Sequence, residues 1–177
     1  MPKIIKDAKH TIINKARELL LQNNLADFNM RSIASAAGIA AGTLYNYFPS
    51  KDHLVVAVML QDWDITLQQT EEAIAKAPTA VAGLEIIFRA IHGFANLYQF
   101  TWQSFRDAKN YLQQREQYHK ALIDQISELI LRLGKRFDFL FDPTVAPFLS
   151  EVLLFGASYP NANFNYLVPC LKKIVGE

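Results

Sequence analysis

The sequence predicts an all-α fold of about nine helices, a small front bundle followed by a larger one. Three observations carry that expectation. Apolar residues return at i, i+3 and i+4 through almost every stretch, the signature of helices with one buried face. No stretch shows the two-residue alternation of a half-buried strand. Helix breakers punctuate the chain at Asn23-Asn24, Gly38, Pro49, Pro78, Pro143 and Pro160.

The first helix is expected over Ile4 to Asn23, with Ile5, Ala8, Ile12, Ile13, Ala16, Leu19 and Leu20 as its apolar stripe. Leu25 and Phe28 would fold back to close a small core with Ile33, Leu44 and Phe48. Asn29 suits an N-cap, because its side-chain oxygen accepts from a free first-turn amide. Met30 to Ala37 follows as a helix of about two turns. Gly38 then fits the left-handed position that ends a helix, and Ile39 plugs the angle beyond it. The third helix, near Ala40 to Phe48, buries Leu44 and Phe48 at i, i+4 spacing and turns Thr43, Tyr45 and Tyr47 outward. Pro49 stops it. Ser50 caps a fourth helix that has Lys51 in its first turn, carries Leu54, Val55, Val58, Met59 and Ile65, and runs to about Lys76. Two short helices joined by a Gly-containing turn make a helix-turn-helix, whose second helix can enter a DNA major groove.

Composition narrows the classes. The 177 residues fit one domain or two small ones. No apolar run approaches the roughly 18 residues of a membrane span, and the N-terminus lacks a signal-peptide pattern. The single cysteine, Cys170, can form neither an internal disulfide nor a thiolate metal site, and its apolar surroundings predict a buried, inert thiol. A soluble cytoplasmic protein is expected. The net charge of +1 hides an asymmetry: residues 1–60 hold seven Lys/Arg against four acids, an excess of three. The modest basic excess lies with the helix-turn-helix and fits phosphate contact, with a chance distribution of charge as the ordinary alternative.

The run Arg31-Ser-Ile-Ala-Ser-Ala-Ala-Gly-Ile-Ala-Ala-Gly-Thr-Leu-Tyr-Asn-Tyr-Phe-Pro-Ser-Lys-Asp-His-Leu54 resembles the tetracycline-repressor (TetR) family of bacterial transcriptional regulators. The resemblance covers about residues 6–66, with the motif at 29–48. It implies a helix-turn-helix DNA-binding domain over 1–50. A connecting helix and a helical ligand-binding and dimerisation domain would fill 51–177. It also implies DNA contacts by Tyr45 (sugar or base edge), Tyr47 and Lys51 (phosphates) and Thr43 (either), with Arg31 a further candidate. The family often has a hydroxyl residue, then Lys or another polar residue, where Ala40 and Ala41 stand here. A cap and a possible contact are therefore missing, although Ala can still meet a thymine methyl.

Residues 77–177 carry no motif. Thr79 can cap a helix over 80–99, and further helices are expected over 101–113, 114–139 and from Asp142 to about Ser158. Pro147 must then fall in a first turn. The last segment, from Ala162, is either kinked at Pro169 or begins there. Phe88, His92, Tyr98, Trp102, Phe105 and Phe155 are candidate walls of a pocket for a small, mainly apolar ligand, against the ordinary alternative of a helical core. Glu116-Gln-Tyr-His119 has the spacing of a di-iron motif, but no second copy accompanies it, so no metal or cofactor is expected. The last two helical segments hold more apolar residues than one subunit easily hides, which predicts a two-fold homodimer through them.

The leading reading is a homodimeric, ligand-responsive DNA-binding regulator on a palindromic duplex operator, a repressor by family analogy. An activator or a ligand-independent regulator of the same family is the alternative. A helical protein-binding adaptor stands further back. An enzyme is not expected, because no Ser/His/Asp, Cys/His or metal set is apparent.

Overall fold

The computed structural model describes residues 7–22, 28–99, 111–139, 142 and 144–177. Among them all regular structure is helical. The elements are α1 (Ala8–Gln22), α2 (Met30–Ala36), α3 (Ala41–Tyr47), α4 (Lys51–Ile74), α5 (Ala80–Leu97), α6 (Tyr111–Phe137), α7 (Val145–Ala157), a 3₁₀ turn (Phe164–Tyr166) and α8 (Val168–Val175). Eight α-helices among the described residues lie close to the nine expected. The chain divides into two compact units, Met1–Asp64 and Ile65–Glu177.

The front unit buries most of the stripe the sequence set out; Ala8 and Leu19 are half-buried, and Ile5 lies outside the described residues. Ile12, Ile13, Ala16 and Leu20 of α1 are buried, as are Phe28, Ile33, Leu44 and Phe48 and, from α4, Leu54, Val55 and Val58. Leu25 lies outside the described residues. A polar clamp joins α1 to α4. Arg17 Nε donates to both carboxylate oxygens of Asp62 at 2.6 and 2.8 Å, and Gln61 donates to Asn14 at 3.0 Å. Asp62 is buried, and a buried carboxylate is tolerated only when paired.

In the back unit α7 packs on both α5 and α6, and α5 also meets α6 and α8. Leu84, Ile87, Phe88, Ile91, Ile126, Ile130, Leu133, Leu149 and Leu153 form its centre. Gly83 lets α5 and α6 approach closely: a Cβ there would lie 2.3 Å from Leu133 Cδ1. The first turn of α5 is doubly capped. Thr79 accepts from the Ala82 amide at 3.1 Å, and the Glu177 carboxylate accepts from the Ala80 amide at 2.6 Å. A carboxylate there satisfies orphan donors and complements the helix dipole. Ahead of α7 the Thr144 amide donates to Asp142 at 2.9 Å. That bond, with a second from the Thr144 hydroxyl, holds the Asp142 carboxyl below its usual range.

Four expectations need correction. No break separates 113 from 114, since α6 runs unbroken from Tyr111 to Phe137; Gln113 and Gln114 are both good helix formers. Cys170 is exposed rather than buried. Pro169 opens α8, and its phase turns Leu171 and Val175 inward, leaving Cys170 outside. The third concerns apolar length. Helix α5, at 18 residues, is long and apolar enough to cross a membrane by length and composition. Glu85 and Arg89 interrupt its sequence and pair at 2.6 Å, while Leu84, Ile87, Phe88 and Ile91 are buried in the back unit. Finally, the ends of several helices fall short of the expected bounds, α4 stopping at Ile74 and α5 at Leu97. The two proline expectations hold: Pro147 lies in the first turn of α7, and Pro169 starts α8 rather than kinking it.

Candidate nucleic-acid interface

The turn between α2 and α3 is built by local chemistry. Asn29 Oδ1 accepts from the Ser32 amide at 2.9 Å and so caps α2. At the other end Gly38 has φ +67°, where a side chain would strain the backbone. Its amide donates to the Ser35 carbonyl at 3.1 Å, and the Ile39 amide donates to the Ala34 carbonyl at 3.0 Å. This pair of bonds is the Schellman motif, which satisfies the carbonyls left open at a helix end. Ile39 is half-buried in the angle beyond.

Helix α3 begins at Ala40 with no side-chain cap, as the missing hydroxyl implied. It ends at Phe48, whose backbone is extended (φ −134°, ψ 101°). A following proline excludes the helical conformation at the residue before it. Ser50 then caps α4, accepting from the His53 amide at 3.3 Å.

The phase of α3 is fixed by Leu44 and Phe48, both buried. Thr43 is exposed, and Tyr45 and Tyr47 are 49% and 45% exposed. Half-exposed tyrosines present a hydroxyl and a ring edge while the ring base covers the core. Lys51 opens α4 with its Nζ 5.6 Å from the centroid of the Phe28 ring, a cation–π distance. Arg31 stands exposed at the start of α2. Thr43, Tyr45 and Tyr47 thus share the exposed side of α3, with Lys51 four residues further along the chain. Asn46 is also exposed on α3 and was not among the sequence candidates. Its signal was the same helical phase, read one residue past Tyr45.

The candidate ligand residues fall differently. Phe88 is buried and stacks on His92 at 6.5 Å between centroids, with Phe164 at 5.4 Å on another side. His92 uses both ring nitrogens: Nδ1 lies 2.8 Å from the Ala157 carbonyl and Nε2 lies 2.9 Å from the Asn96 amide. A carbonyl only accepts, so Nδ1 carries the proton and donates, and Nε2 accepts from Asn96. Tyr98 is fully buried beside Phe94. Phe155 is 68% exposed and meets Tyr159 edge-on at 5.2 Å. Trp102 and Phe105 lie outside the described residues. The structure therefore brings Phe88 and His92 together in packed surroundings and sets Phe155 on an outer face. A shallow cleft of about 150 Å³ does exist in the back unit, lined by Leu67, Glu71, Gln125, Glu128, Leu129 and Arg132. Arg132 pairs with both Glu71 and Glu128 there, and none of the candidate ligand residues lines it. His119, of the Glu-x-x-His run, bonds Glu151 at 2.8 Å. Among the described residues no three His, Cys, Asp or Glu side chains converge as a metal site would require.

Comparison with known proteins agrees with this geometry. Residues 12–58 match the family described as bacterial regulatory proteins, tetR family. The HTH-type transcriptional regulator UidR of Escherichia coli K12 is 38% identical over 63 residues, which are 36% of this chain and 32% of UidR. The aligned part is thus about a third of that relative. Among solved structures, SCO7518 of Streptomyces coelicolor A3(2) superposes with a TM-score of 0.65 at 17% identity, covering 97% of this chain and 100% of that one. FadR of Bacillus subtilis, a transcriptional regulator solved with stearoyl-CoA, gives a TM-score of 0.58 at 18% identity, covering 94% of this chain and 91% of FadR. At such identities the two structures establish a shared fold.

Proposed function

We propose that this chain, whose residues 12–58 match the tetR family of bacterial regulatory proteins, is a ligand-responsive transcriptional repressor. It binds a palindromic duplex operator as a homodimer in the cytoplasm, without a catalytic step. The observation that carries this reading is the two-sided α3. Leu44 and Phe48 anchor it to the front core, while Thr43, Tyr45 and Tyr47 remain exposed on it. Tyr47 and Lys51 contact phosphates and fix the register, Tyr45 meets sugar or a base edge, and Thr43 does either. Arg31 adds charge on the side of α2.

The homodimer is supported by Phe148 and Phe155, 63% and 68% exposed at i, i+7 on α7. Burial of such a face against a second copy sets two α3 helices on half-sites roughly 34 Å apart. Light scattering that finds only monomer at micromolar concentration counts against it. The ligand is small and mainly apolar and is taken by the back unit, a reading supported by the fold it shares with FadR. Phe88, His92, Tyr98, Trp102 and Phe105 are the residues proposed to meet it, Phe155 being taken by the dimer face. Such a ligand releases DNA only by binding one of two arrangements better than the other.

The experiment is fluorescence anisotropy with duplexes from the upstream region of the chain's own coding sequence, over a range of salt and with stearoyl-CoA as the ligand probe. Binding should weaken steeply with salt. Tyr47→Ala with Lys51→Ala should reduce affinity roughly tenfold or more and lower the salt slope by about one for each phosphate no longer neutralised. Unchanged binding by that variant would overturn the assignment of α3 and Lys51. DNA release by stearoyl-CoA would support an acyl ligand; saturation without release removes that ligand class.

A further inference from the structure

Resting on the DNA-binding reading above, we propose that α3 reads A·T base pairs in the major groove, with Asn46 as its central base-reading side chain. The argument begins from helical phase. At about 100° per residue, the buried pair Leu44 and Phe48 defines the inward direction of α3. Asn46 then points about 180° away from it, and Tyr45 and Tyr47 sit about 100° to either side of Asn46. The exposure of all three agrees with that placement. A residue at the outward centre of a helix meets the groove floor, where base edges lie, whereas residues at its flanks meet the sugar-phosphate walls. The tyrosines are therefore placed for position and Asn46 for sequence.

Side-chain chemistry narrows the base. Residues 40–48 contain no Lys, Arg, His, Asp or Glu. The helix consequently lacks the cationic side chains that most often read guanine and the carboxylates that accept from cytosine. The Asn46 amide offers one donor and one acceptor side by side, matching adenine N7 and N6. Thr43, about 60° from Asn46 on the same side, brings a methyl group that fits the thymine methyl.

Gly42 supplies an independent observation. It lies one turn before Asn46 on the same face, and a Cβ built there meets nothing within 4 Å. Protein packing does not require glycine at this position, and Ala would favour the helix. Bare backbone here leaves room for the helix to sink far enough for the short Asn side chain to reach a base edge.

The test is selection of binding sites from a randomised duplex library by the whole chain and by its Asn46→Ala and Asn46→Arg variants, each checked for native helicity. The wild type should enrich half-sites with an adenine whose preference falls roughly tenfold in Asn46→Ala. Asn46→Arg should move that preference to guanine at the same position. If both variants enrich the wild-type motif with the same base preferences, or the wild-type core is built of G·C pairs, the inference is wrong while DNA binding stands. If the folded wild type enriches no motif, the DNA-binding reading fails and takes this inference with it.

Discussion

Leu44→Ala should abolish operator binding by melting the front unit rather than by removing a contact. Leu44 is fully buried on α3, and emptying such a site costs about 2–5 kcal/mol. The unit that holds it spans only Met1–Asp64, and cores of that size carry little surplus stability. In a domain of this length each kcal/mol lowers the melting temperature by about 4–8 °C. Thermal melting followed by circular dichroism should show a fall of about 10 °C or more in the front transition, with loss of duplex binding. Tyr47→Ala supplies the contrast, keeping the melt while losing affinity. If Leu44→Ala binds and melts like the wild type, the packing assigned to α3 is wrong.

Gly83→Val should destabilise the back unit by about 3 kcal/mol, at the upper end of what over-packing costs. The Cβ of any residue at 83 meets Leu133 Cδ1 and Cδ2 at 2.3 and 2.6 Å. Leu133 is itself only 1% exposed, so it has nowhere to turn. The gain in helix propensity over glycine, below 1 kcal/mol, does not offset this. Because the loss arises at one contact, adding Leu133→Ala should restore part of it, and a double-mutant cycle measured by thermal melting reads the coupling. Additive losses would show that α5 and α6 do not approach at this point. Gly42→Ala should leave the same melt unchanged or raise it slightly, because its Cβ meets open space.

The helix-turn-helix was legible because each of its signals is local. Asn29 caps the start of α2, Gly38 ends that helix, Pro49 forbids helix at Phe48, and Ser50 starts α4. Each acts within a few residues, the range over which a sequence states its own geometry. The exposure of Thr43, Tyr45 and Tyr47 followed from the same phase. What escaped was long-range. Arg17 and Asp62 are 45 residues apart, Gly83 and Leu133 are 50 apart in number, and Glu177 reaches Ala80 across 97. Residue type alone pairs none of these. The misplaced Cys170 has a smaller cause: an apolar neighbourhood in sequence says nothing of helical phase until Pro169 fixes where α8 begins. In the back unit the aromatics that suggested a pocket divide between the packed centre (Phe88, Tyr98) and the surface (Phe155). Hydrophobicity draws no such distinction.

Ala40 has a thermodynamic consequence of its own. Seven residues are too few to hold a helix in isolation, and α3 opens on a residue with no side-chain cap. Its order is borrowed from Leu44 and Phe48 one turn further on, so its first turn is the part most free to fray. A groove that closes over that turn must remove this residual motion, and the lost conformational entropy subtracts from affinity. Ala40 already has the extended backbone of a capping residue (φ −69°, ψ 145°), which is what a serine cap requires. The backbone therefore accommodates a stiffer helix than the sequence builds, and the alanine leaves the first turn of α3 soft.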